Sequence, residues 1–134
     1  MSKQGRVLRE LHITRKMVRE RRGSAVFIFG DNIARVGFGG QAAEMRGEPN
    51  TVGVPTKWGP ASIEIAYFKD DDWDYPGVRI AIEAAFVAIR MYLDAGYDVV
   101  IPADGLGTGR AQLRERAPRI AREIDERIEE LSVP

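Results

Sequence analysis

The chain has 134 residues, 44% of them hydrophobic, the size and composition of one domain with a sizeable core. Twenty basic and 20 acidic side chains cancel to a formal charge of zero, which argues against a dedicated nucleic-acid binder, whose phosphate partners call for a basic excess. There is no Cys and a single His, His12, so a disulfide framework, a thiolate zinc site, a cysteine nucleophile and ordinary Ser-His chemistry fall away.

Val7, Leu11 and Ile13 form a loose apolar pattern that suits an edge strand. Thr14 is placed to cap a short helix over Arg15 to Arg22, which Gly23 would end. Residues 1–22 hold eight basic side chains against two acidic ones; this stretch reads as a solvated helix face or as a patch for a phosphate or protein partner. The continuous run Ala25-Val26-Phe27-Ile28-Phe29 predicts a strand buried on both faces, as in a parallel sheet covered by helices. Gln41 to Arg46 reads as a helical turn or two, Thr51 to Val54 as a second strand ended by Pro55, and the alternating Ser62 to Phe68 as a third.

The clearest helix runs from Pro76 to Ala95. Val78, Ile82, Ala85, Phe86, Ile89 and Leu93 follow helical spacing, and Gly96 stands just past its end. The acidic run from Asp70 to Asp74 suits either a divalent cation or, more simply, the dipole of that helix. Val99-Val100-Ile101-Pro102 is another buried strand. An amphipathic helix from about Pro118 to Leu131 closes the chain, with Ile120, Ile124, Ile128 and Leu131 on one face. Buried strands alternating with helices predict an α/β layered fold: one domain over 1–134, a mixed, mostly parallel sheet with helices on both faces. Its basic segment would be 1–23 and its motif-bearing core 24–131. No apolar run approaches the roughly 20 residues that span a bilayer, and Met1 to Glu20 is charged throughout without a signal-peptide core. The expectation is a small cytoplasmic protein with no membrane partner.

Two glycine-rich segments follow the two most buried strands: Gly30 to Gln41 (GDNIARVGFGGQ) and Pro102 to Gly109 (PADGLGTG). In an open parallel sheet, loops at the carboxyl ends of strands form the ligand crevice. Glycines there allow positive φ and let backbone N–H groups approach an anion, and a following helix start adds a favourable dipole. Gly105, Gly107 and Gly109, at alternate positions, therefore suit a diphosphate. Neither segment is a P-loop or a G-x-G-x-x-G fingerprint by spacing; the plainer use of the glycines is to make tight strand-to-helix turns.

Phe27-Ile28-Phe29-Gly30-Asp31-Asn32 with Gly37, Gly39 and Gly40, and Val99 to Gly109 (VVIPADGLGTG), together resemble the macrodomain family of ADP-ribose-binding modules. The resemblance spans roughly residues 24–131 and rests on these two segments. It implies a macrodomain-like three-layer fold in which Asn32 hydrogen-bonds the distal ribose and Gly37, Gly39 and Gly40 line it. It also implies that the loop of Asp104, Gly105, Leu106, Gly107, Thr108 and Gly109 wraps the two phosphates through its amides. The implied ligand is ADP-ribose or a related nucleotide diphosphate sugar, free or on an ADP-ribosylated protein, with no cofactor and no metal. Three departures stand out: no early G-D-I-like segment, Asp31 beside Asn32, and Phe38 within the glycine cluster. They describe a compact, divergent member of the sort that phages and mobile elements carry.

Lys57 and Trp58 follow a strand end on the same rim, where Lys57 would pair with a phosphate and Trp58 would stack on a base or, more simply, pack a loop. If an ADP-ribosyl bond is hydrolysed, Asp31 with Asn32 is the catalytic candidate, because a water must be held near the anomeric carbon. Three classes remain: an ADP-ribosyl hydrolase or phosphatase-like enzyme, an inert reader of ADP-ribose or another nucleotide, and an interaction protein using the basic helix, with the glycine loops purely structural. On sequence alone, Gly107→Val should abolish ligand binding with modest loss of stability.

Overall fold

A computed structural model describes residues 4–133; Met1, Ser2, Lys3 and Pro134, and with them the first residues of the basic stretch, lie outside the described residues. Four strands form one sheet: β1 (Val7–Glu10), β2 (Ala25–Asn32), β3 (Thr51–Lys57) and β4 (Asp98–Pro102). Their order is β1-β4-β2-β3, and all three pairings are parallel. The helices are α1 (Arg15–Glu20), α2 (Ala42–Met45), α3 (Pro76–Asp94), α4 (Leu113–Arg116) and α5 (Pro118–Glu130).

The period-two alternation of β2 divides its side chains between two cores. Ala25, Phe27 and Phe29 pack with Val18 of α1 and with Ala42 and Met45 of α2. Val26 and Ile28 face the other way, onto α3 and α5. Three layers result, as the doubly apolar run of β2 predicts. All six apolar positions of the 3.6-residue spacing in α3, from Val78 to Leu93, are buried. A large aliphatic or aromatic side chain on such a face contributes about 1.5–3 kcal/mol through burial. Gly96 takes φ +97° and stops the helix. At α1 the Thr14 hydroxyl oxygen accepts the Met17 N–H at 3.2 Å, the anticipated cap. No helix among the described residues is long and apolar enough to cross a membrane.

Several local expectations are corrected. Ser62 to Phe68 is not a strand: Glu64–Ala66 forms a 3-10 turn, Ile63 and Ile65 are exposed, and one antiparallel bridge joins Lys57 to Tyr67. The alternation lacks a neighbouring strand to pair with. β3 does not stop at Pro55 but continues to Lys57, because β3 is a sheet edge where a missing N–H is tolerated. The first helix ends at Glu20, two residues early, and β1 ends before Leu11 and Ile13.

The acidic run does not serve α3. Asp70–Asp74 is itself a 3-10 turn; Asp70 accepts the Arg119 N–H at 2.8 Å in the first turn of α5, and buried Asp72 accepts the Trp58 indole N–H at 3.0 Å. The basic stretch is a solvated face, with Lys16, Arg19 and Arg22 exposed, but it is also tied into the fold by ion pairs. Arg15, Arg19 and Arg22 converge on the buried carboxylate of Glu48, at 2.6, 3.1 and 3.2 Å, and Arg6 and Arg21 reach Asp98.

A cleft between the two glycine loops

β2 and β4 are adjacent and parallel, so their carboxyl ends share one rim. The chain leaving β2 turns to α2 on one face of the sheet; the chain leaving β4 turns to α4 and α5 on the other. This divergence is the topological switch point at which open α/β sheets form their ligand crevice. A cleft of about 220 Å³ lies there. Gly30, Asp31 and Asn32 of β2 line it, with Thr56 and Lys57 of β3, and the walls carry Gly37, Gly39 and Gly40 opposite Gly107, Thr108 and Gly109. A Cβ built on Gly30 would stand 3.5 Å from the Gly107 nitrogen, which measures how closely the two loops approach.

Asp104, Gly105 and Leu106 do not line the cleft. Asp104 is exposed beside it, Gly105 makes the positive-φ turn out of β4, and Leu106 is 1% exposed in the core beneath α3 and α5. A leucine between two glycines reads as loop filler in sequence, whereas here it anchors the loop to the core.

Asp31 and Asn32 stand at the end of β2, but their polar atoms are already engaged. The Asp31 side chain is 3% exposed and is held by both terminal nitrogens of Arg46, by Arg35 at 3.1 Å and by the Asn32 N–H at 2.8 Å. Gly53 of β3 leaves room for it: a Cβ there would fall 2.7 Å from the Asp31 Cβ. The Asn32 amide donates to the Val36 carbonyl at 2.9 Å and accepts the Val36 N–H at 3.4 Å, stapling the start of the loop. Arg46 also donates to the Gly37 carbonyl at 2.6 Å, and Gln41 accepts the Gly30 N–H at 2.8 Å. Sequence reading missed Arg46 and Gln41, because their partners lie 15 and 11 residues away and no local pattern marks them.

The second loop has a different construction. The Leu113 N–H donates to the Gly107 carbonyl at 2.9 Å and closes it. The N–H groups of Thr108, Gly109, Arg110 and Ala111 have no protein acceptor among the described residues, and neither do those of Phe38, Gly39 and Gly40 across the cleft. The expected help from helix dipoles is small: α2 and α4 have four residues each, too short to sum a macrodipole. The positive charge at the cleft is that of side chains. The lining contains one acid, Asp31, and three bases, Arg46, Lys57 and Arg110. Lys57 is 8% exposed with no carboxylate partner among the described residues; its Nζ donates to the Ala61 carbonyl at 2.9 Å and lies 4.3 Å from the Tyr67 ring centre. Trp58 packs edge-on against Phe68 and Tyr75 and does not line the cleft. His12 is exposed on the bend after β1. No group of three or more His, Asp or Glu among the described residues is placed to hold a metal ion.

With fold and site in view, the chain's place among proteins is a family rather than an activity. It belongs to the family of unknown function DUF7831, which it matches over residues 8–127. No curated protein and no solved structure matches it.

Proposed function

We propose that the chain binds ADP-ribose or a related nucleotide diphosphate sugar in the cleft between the loops after β2 and β4, as the resemblance to macrodomains implies. The observation that carries this reading is the convergence of two amide-rich loops around an excess of basic side chains, in a chain whose overall charge is zero. Three cations and one internally neutralised carboxylate suit a ligand with about two negative charges, and unpaired N–H groups suit phosphate oxygens.

Binding without protein-borne acid-base catalysis fits the side chains better than hydrolysis. A general base needs an accessible lone pair near a water, and both Asp31 oxygens accept from arginines while Asp104 stands outside the lining. Any turnover would draw on the ligand's own phosphate. The interaction-protein reading has less behind it, since three arginines of the α1 region already pair with Glu48.

Thermal melting with and without ADP-ribose tests the proposal. A ligand selective for the native state stabilises it by about 2.7 kcal/mol at a hundredfold excess over Kd, so the midpoint should rise by several degrees. An unchanged midpoint at about 1 mM ADP-ribose, NAD or ADP would remove the nucleotide reading.

A further inference from the structure

The cleft is small for the ligand class it is proposed to serve. Clefts that engulf a whole drug-sized ligand run to about 300–1,000 Å³, against about 220 Å³ here. Its lining is glycine, small aliphatic, polar and basic, without any aromatic side chain to sandwich a base. Phe38, between the lining residues Gly37 and Gly39, is 67% exposed and outside the lining. Such a lining offers partners to a sugar-diphosphate end and no aromatic face to a purine.

One side chain at the mouth has no other employment. Arg46 is committed to Asp31 and Lys57 to the Ala61 carbonyl. Arg110 is exposed and makes no side-chain hydrogen bond or ion pair among the described residues. Its guanidinium reaches from the second loop to the first: a Cβ built on Gly39 would fall 2.7 Å from the Arg110 Nη1. Gly39 thus leaves the gap through which Arg110 crosses the cleft. A guanidinium bridging two loops of N–H donors offers forked hydrogen bonds to phosphate oxygens.

Resting on the binding site proposed above, we infer that the cleft selects its ligand by the sugar-diphosphate end, with Arg110 as the clasp over the diphosphate, and leaves the base outside. The ligand class is a ribosyl or glycosyl diphosphate with an indifferent base.

Calorimetric titration of the full chain separates this inference from the site it rests on. The probes are ADP-ribose, inosine diphosphate ribose and adenosine; the proteins are wild type, Arg110→Ala, Arg110→Lys and Gly39→Ala. The two diphosphate riboses should bind within about threefold of each other, and adenosine should give no saturable binding at about 1 mM. Arg110→Ala should weaken ADP-ribose at least about tenfold and flatten its salt dependence, with Arg110→Lys recovering part of the loss. Gly39→Ala displaces only the tip of a flexible side chain, so it should keep the wild-type melting temperature and still weaken ADP-ribose. If ADP-ribose does not bind wild type at all, the proposed site fails. If it binds but adenosine competes with it, the base swap shifts affinity more than tenfold, or Arg110→Ala stays within twofold, the site stands and this inference is overturned.

Discussion

The loop after β2 is braced by charged and amide side chains, whereas the loop after β4 is braced by packing. In the first, Arg46 ties the Gly37 carbonyl to the buried Asp31 carboxylate, and Asn32 and Gln41 fasten its two ends. In the second, Leu106 and Leu113, each 1% exposed, plug the loop into the core, and Gly107 at φ +74° fits against Leu113. Both constructions leave amides without a protein acceptor, among the described residues, in loops that line one cleft. The difference teaches where each loop can be broken: the first by removing a charge, the second by adding a carbon.

The largest effect should come from the second loop. A Cβ at position 107 would fall 2.8 Å from the Leu113 Cβ, at a φ that β-branched residues avoid. Strain and overpacking of this kind each cost about 1–3 kcal/mol, so Gly107→Val should lower stability by about 2–6 kcal/mol in urea melts. This replaces the modest loss expected from sequence, and it makes Gly107→Val a folding variant rather than a binding probe. A stability within about 1 kcal/mol of wild type would show that the loop gives way.

In the first loop, Asp31→Ala should cost about 3 kcal/mol, because it strands Arg46 with its charge partly buried. Asp31→Ala with Arg46→Ala should cost less than the sum of the singles, since the two share one interaction; strict additivity in the double-mutant cycle would deny the brace. Any turnover that persists in Asp31→Asn at the wild-type rate would agree with a carboxylate that positions the loop instead of activating water.

Acid should act away from the cleft. The hydrogen bond from Arg15, with those from Arg19 and Arg22, outweighs desolvation and holds the Glu48 carboxyl below its ordinary value. At Asp98 desolvation is the largest influence and pushes upward, but the Arg6 N–H and the Arg21 and Arg6 guanidiniums outweigh it and leave a net lowering. A lowered folded-state value means that the native state binds fewer protons than the unfolded chain. These groups therefore stabilise fully above the ordinary carboxylate range of about 4 and lose that contribution as pH falls through their folded values. Stability should decline below about pH 4.5, and Glu48→Gln should flatten that decline. An acid limb unchanged in Glu48→Gln would remove Glu48 from the explanation.

The smallest effect on stability belongs to Gly109. A Cβ there meets no atom within 4 Å, and its φ is not positive. Gly109→Ala should stay within about 0.5 kcal/mol of wild type yet weaken ADP-ribose a few-fold by crowding the amides. Equal affinity would move the phosphates away from this end of the loop.

The parts of the fold legible in the sequence are those written in local periodicity. The stripe from Val78 to Leu93, the doubly apolar β2, the Thr14 cap and the Gly96 stop each follow from neighbours within a few positions. The glycine segments pointed to the rim because chain direction in a parallel sheet fixes which loops meet. What local pattern does not hold is partnership across the chain. Glu48 gathers three arginines from 26 to 33 residues away, so the basic face reads correctly as solvated while its ion pairs go unseen. Asp31 finds Arg46 fifteen residues on, so the brace on this carboxylate is invisible in the local pattern. Ser62 to Phe68 alternates as a strand would, and only the lack of a pairing neighbour makes it a turn.

The central claim is that a nucleotide diphosphate sugar sits against the amides of both loops, and amide chemical shifts read that position directly. Two-dimensional nitrogen-proton spectra of the full chain, titrated with ADP-ribose, should show saturable shifts concentrated at Phe38 to Gly40 and Thr108 to Ala111, whose N–H groups have no protein acceptor among the described residues. The amides of Arg15 to Arg22 in and after α1 should stay in place. Shifts confined to Arg15 to Arg22, or none anywhere at saturating ADP-ribose, would contradict the assignment of the cleft.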